Sequence, residues 1–83
     1  MMILDEVRTI IAKIHELDVS KITPDTDLYE DLDDSLDAVA IYMACEETFD
    51  LEISDDDVEA WNMRNARNIT AYLEYRLGKC DGA

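Results

Sequence analysis

Ile3, Val7, Ile10, Ile14 and Leu17 recur at steps of four, three, four and three residues, the spacing of one helical face, and Leu4 and Ile11 widen it. A first helix is therefore expected over 3–17. From Lys21 to Asp34 no period is sustained and the chain's only proline, Pro24, occurs. This stretch reads as a long connection pinned to the core by Leu28 and Leu32. Ser35 to Asp50 is expected as the second helix. Ser54 followed by Asp55, Asp56 and Asp57 gives an N-cap with carboxylates at the positive end of a helix dipole, so a short third helix runs to Trp61. Ala66, Ile69, Leu73 and Leu77 mark a fourth helix, which Gly78 stops. The pattern predicts an all-α fold, a small four-helix bundle, as one domain over 1–78 with a flexible tail over 79–83.

The second helix breaks the amphipathic rule. Its eight residues from Ala38 to Cys45 are all apolar, so two turns are hydrophobic on every side. Ile41, Cys45 and Phe49 form a stripe suited to the core. Leu36, Val39 and Met43 then point elsewhere and are expected to be partly exposed, beside Asp37, Glu46 and Glu47, as an apolar docking patch with an acidic rim. The alternative is a central helix covered by loops.

Charge sharpens this picture. The 83 residues carry 21 acidic and 7 basic side chains, a net charge of −14. Between Lys21 and Arg64 there is no lysine or arginine, while 15 aspartates and glutamates fall there. Such a field repels nucleic acid and anionic membranes and attracts basic protein surfaces. Acidic runs also serve solubility alone. A chain this short buries only about 60% of its unfolded surface, which argues against a deep catalytic site. Cys45 and Cys80 form no paired motif, the N-terminus lacks a signal-peptide pattern, and no apolar run reaches membrane-spanning length, so a cytoplasmic protein with reduced thiols and no membrane insertion is expected.

Several chemistries fail on the residues. Hydrolysis through Ser35 needs a base, and His15, the only histidine, reads as a surface residue of the first helix. Phosphate cradling needs glycine-rich backbone, and the only glycines are Gly78 and Gly82. An EF-hand loop started at Asp31 meets Leu36 where glycine is required and Tyr42 where glutamate is required; registers starting at Asp25 and Asp55 also fail. No specific metal site is expected, only loose divalent binding that relieves self-repulsion.

Asp34-Ser35-Leu36-Asp37, preceded by Asp31-Leu32 and followed by Met43-Ala44, Glu46-Glu47, Phe49-Asp50, Glu52-Ile53 and Asp55, resembles the acyl carrier proteins. The likeness is dense from Asp25 to Glu59, and the helix order suits that family's bundle. The resemblance implies that Ser35 receives 4′-phosphopantetheine from coenzyme A through a phosphopantetheinyl transferase, with Asp34 and Leu36 flanking the attachment point. It implies a non-catalytic, monomeric carrier of acyl groups for acyl-transferring or condensing enzymes with basic docking patches, in fatty acid, polyketide or specialised biosynthesis. Recognition would fall to Asp33, Asp34, Asp37, Glu46, Glu47, Asp55 and Asp56, around Leu36, Val39 and Met43. The physics agrees with such a role: Asp34 can cap the second helix, leaving the Ser35 hydroxyl to project beside unpaired backbone N–H groups. An aminoacyl carrier, or an unmodified acidic interaction module of the same fold, stays open.

The sequence also departs from the family. Asp33 stands in place of a glycine before the serine, with one position missing, and Ala40 stands where many fatty-acid carriers have glutamate. Tyr42 and Cys45 replace aliphatic residues, Ser54 replaces a frequent proline, and the connection from Asn62 to Asn65 is about two residues longer than the family's. These differences suggest a specialised carrier with an altered acyl cavity.

Overall fold

The computed structural model describes residues 3–28 and 35–78, with the side chains of 35–37 outside that description. Leu32, Asp33 and Asp34, and the tail over 79–83, lie outside the described residues. The chain forms α1 (Ile3–Ile14), a 3₁₀ turn (Val19–Lys21), α2 (Ser35–Phe49), α3 (Asp55–Ala60) and α4 (Ala66–Leu77). Among the described residues there is no strand, and the fold is the all-helical bundle that the periodicity predicts.

Asp5 and Glu6 in the first turn of α1 and Lys13 in its last complement the helix dipole. Val7, Ile11 and Ala12 are buried, with Ile3, Leu4, Ile10 and Ile14 packed around them, and both α2 and α4 rest on this face. Each large aliphatic buried here contributes roughly 1.5–3 kcal/mol by removal from water. The helix ends three residues earlier than its period suggests. Glu16 takes a left-handed φ of 56°, and the chain turns there. Leu17 is consequently 42% exposed instead of extending the core face. His15 is half-buried, its Nε2 shielded from solvent, where the helical wheel places it on the surface.

The long connection is held by specific bonds, which its lack of periodicity conceals. Arg8 Nε donates to the Ile22 carbonyl at 2.6 Å and its Nη2 to the Val19 carbonyl at 3.1 Å, strapping the 3₁₀ turn to α1. Asp18 caps that turn by accepting from the Ser20 N–H at 3.0 Å. Ile22 and Leu28 are fully buried. The Leu28 N–H donates to the Arg64 carbonyl at 2.7 Å and the Arg67 N–H to the Pro24 carbonyl at 2.9 Å, so the connection also grips the start of α4.

Ile41 and Cys45 of α2 are fully buried and Phe49 is half-buried against the same core. Asp50, at φ 54°, ends α2 in the left-handed conformation. Ser54 caps α3, accepting from the Asp57 N–H at 3.2 Å, a contact of about 1 kcal/mol. Asn65 caps α4 through the Asn68 N–H at 2.8 Å, and Gly78, at φ 69°, closes it. The left-handed φ favours glycine because a Cβ is strained there.

Candidate functional site

Helix α2 begins at Ser35. The N–H groups of a helix's first turn have no intrahelical acceptor, and the dipole places partial positive charge among them. Ser35, Val39, Tyr42 and Glu46 follow at steps of four, three and four, so they share one narrow stripe of α2. Tyr42 lies roughly 10 Å along the axis from Ser35.

That stripe borders a cleft of about 380 Å³ between α2 and α3. Its apolar walls are Val39, Tyr42, Met43, Ile53 and Val58, and Glu46, Asp55 and Glu59 add carboxylates. Val39 is 55% and Met43 60% exposed, as expected for these two members of the apolar patch on α2. A second, more open groove of about 1060 Å³ shares Met43, Glu46 and Ile53 with the cleft and continues to Ile14, Ala44 and Leu51. The helix that is apolar on all sides is thus explained. One side meets the core, and the rest flanks two depressions.

The structure brings Val39, Met43, Glu46 and Asp55 together around the cleft, whereas Glu47 faces the open groove and Asp56 is exposed and borders neither. Asp33 and Asp34 fall outside the described residues; Leu36 and Asp37 lie on the first turn of α2, their side chains outside the description. Glu46 is also occupied internally. Its Oε2 accepts the Ile53 N–H at 2.8 Å, tying the loop after α2 back to that helix.

Two features are not evident in the sequence pattern. The Tyr42 hydroxyl donates to the Met63 carbonyl at 2.6 Å, crossing from α2 to the connection before α4. Tyr72, Asp57 and Arg76 form a polar cluster joining α4 to α3. Arg76 standing four residues after Tyr72 is the one sequence signal for part of it.

Cys45 is not a reactive thiol. Burial, with Glu46 nearby, pushes its thiol up to about 12, so it stays protonated and shut off from solvent. Among the described residues, no three His, Cys, Asp or Glu side chains gather into a group that could hold a metal ion. No described helix is long and apolar enough to cross a membrane.

A phosphodiester on Ser35 fits this setting. Backbone N–H groups and the helix dipole at the start of α2 would favour an anion there, and an apolar cleft starts one turn further along the same stripe.

The family model described as "Phosphopantetheine attachment site" matches residues 5–73. An acyl carrier protein of Helicobacter pylori is 33% identical over 75 residues, covering 89% of this chain and 94% of the relative. One of Akkermansia muciniphila is 38% identical over 71 residues, covering 84% and 86%. One of Buchnera aphidicola is 47% identical over 58 residues, covering 69% and 73%. With the match running through all four helices, the chain belongs to the acyl carrier protein family, whose prosthetic group is 4′-phosphopantetheine.

Proposed function

We propose that Ser35 is the attachment residue and that this protein carries acyl groups from enzyme to enzyme. The observation that carries this reading is the position of Ser35 at the first residue of α2, at the head of the stripe bordering the α2–α3 cleft. Loading forms a bond from the Ser35 oxygen to the pantetheine-side phosphorus of coenzyme A. The pyrophosphate P–O bond breaks, adenosine bisphosphate leaves, and the hydroxyl proton passes to the transferase. The arm then supplies a terminal thiol that holds cargo as a thioester.

What the chain itself supplies is shelter and presentation. The cleft offers apolar surface to the cargo, worth about 0.8 kcal/mol per methylene buried. An enzyme that draws the cargo out must offer comparable burial. Val39 and Met43 form the dry centre of the docking surface, and Asp33, Asp34, Asp37, Glu47, Asp55 and Asp56 form a rim for lysines and arginines on phosphopantetheinyl transferases and on acyl-transferring or condensing enzymes. The protein works in the cytoplasm as a monomer and catalyses nothing. The replacements at Ala40, Tyr42 and Cys45 favour a specialised pathway over housekeeping fatty acid synthesis.

Incubation with coenzyme A and a broad-specificity transferase, followed by intact-mass spectrometry, tests the assignment. The wild type gains one phosphopantetheine and Ser35→Ala gains none. A wild type that stays unmodified with several transferases overturns it and leaves an acidic interaction module.

A further inference from the structure

Tyr42 stands seven residues after Ser35 in α2, at the middle of the helix. Its ring forms part of the wall of the α2–α3 cleft, while its hydroxyl reaches past that wall to the Met63 carbonyl at 2.6 Å. Met63 is fully buried and does not line the cleft. The ring therefore stands between the cleft and the core around Met63.

The anchor is itself fixed. The Met63 N–H donates to the Val58 carbonyl at 3.1 Å, and the neighbouring Arg64 carbonyl accepts the Leu28 N–H at 2.7 Å. Asn62, at φ 49°, sets the turn that presents this segment. An aliphatic side chain at position 42 would leave the far end of the cleft deformable by rotamer changes. A ring bonded at both ends cannot move aside without breaking a partly buried hydrogen bond.

We propose, resting on the carrier reading above, that Tyr42 sets the length of cargo this protein shelters, so that short acyl chains are its class. Cargo at the end of the flexible arm enters the cleft beside Val39 and meets the Tyr42 ring, which closes the cleft on its core side. Carbons that fit before the ring are buried. Those beyond it stay in water or turn out along the open groove.

Acyl-coenzyme A thioesters from butanoyl to tetradecanoyl, loaded onto the intact protein by a broad-specificity transferase, test this. Each additional buried methylene raises the melting temperature by roughly 3–6 °C. In the wild type the rise stops at a short chain. In Tyr42→Val it continues to longer chains, and in Tyr42→Phe, which keeps the ring but loses the tie, it stops in between. A general loss of stability lowers every point of a series equally and does not move the length at which it levels off.

A second reading uses the wild type alone. The rate of thioester cleavage by hydroxylamine falls with chain length up to the same short chain and no further. Efficient loading with identical length profiles in all three proteins overturns the role of Tyr42 and leaves the carrier reading intact. Failure of any acyl arm to load overturns both.

Discussion

The Tyr72 hydroxyl donates a 2.6 Å hydrogen bond to Asp57 Oδ2, joining the middle of α4 to the first turn of α3. Arg76 donates to the same hydroxyl and to the Glu52 carbonyl at 2.7 Å, and its Nη1 lies 3.6 Å from Asp57 Oδ2. Helix α3 has six residues, too few to be stable alone. This cluster, its Ser54 cap and the packing of Val58 against the core hold it beside the cleft.

Tyr72→Phe keeps the buried ring and removes the bond. It is expected to cost about 1 to 2 kcal/mol in urea unfolding. Trp61, whose ring centroid is 5.5 Å from that of Tyr72, reports the change as an altered emission before global unfolding. A midpoint equal to that of the wild type with unchanged Trp61 emission would mean that α3 is held by other contacts.

Neighbouring acids on α2 are predicted to separate in their effects. Glu46 accepts the Ile53 N–H, so Glu46→Ala loosens the loop after α2 and lowers stability by about 1 kcal/mol. Glu47 is exposed, and Glu47→Ala should leave stability within about 0.5 kcal/mol while raising the KM of a partner enzyme at low salt. Added salt should raise the wild-type KM and narrow the difference from Glu47→Ala, because exposed charges are screened within about 10 Å at 0.1 M ionic strength. Salt-independent kinetics would remove the electrostatic role of this rim.

These contrasts show what a sequence pattern can and cannot carry. The start of α2 at Ser35, the cap at Ser54 and the stop at Gly78 were legible because each depends on local chemistry of a few adjacent residues. The exposure of Val39 and Met43 was legible because an all-apolar helix in a small bundle has more faces than core. The internal bond of Glu46 was not, since an acid beside an apolar stripe looks the same whether it faces a partner or its own loop. Tyr42 with Met63 and Tyr72 with Asp57 are 21 and 15 residues apart, and such pairs become neighbours only once the helices have packed. Leu17 was misplaced for a related reason: periodicity continues past the point where Glu16 turns the chain.

The connection before α2 should respond to acid through the Asp25–Arg67 pair. Arg67 donates to both oxygens of Asp25, at 2.8 and 3.2 Å, and holds that carboxyl below its ordinary value of 3.8. A lowered folded value means that the pair's contribution is present above 3.8 and lost as pH falls through the folded value. Arg67→Met should therefore speed amide exchange at Leu28, whose N–H bonds the Arg64 carbonyl, near neutral pH but not in strong acid. Equal protection of Leu28 in the two proteins near neutral pH would show that the backbone bonds suffice.

Alkaline destabilisation should be traceable to Cys45. Its thiol, ordinarily near 9.0, is pushed up to about 12 in the folded protein by burial. Between those values the unfolded chain has released the proton and the folded chain still holds it. The unfolded state then binds fewer protons, so stability falls as pH rises, by roughly 1.4 kcal/mol per pH unit, and is unaffected below about 9. Other groups titrate in this range, so the measurement is a difference: the urea midpoint of the wild type minus that of Cys45→Val, followed upward from neutral pH. The difference should stay constant to about pH 9 and then shift against the wild type. The same burial makes alkylation of Cys45 in a Cys80→Ser background proceed at the rate of opening of the fold, and rapid alkylation of the native protein would contradict both expectations.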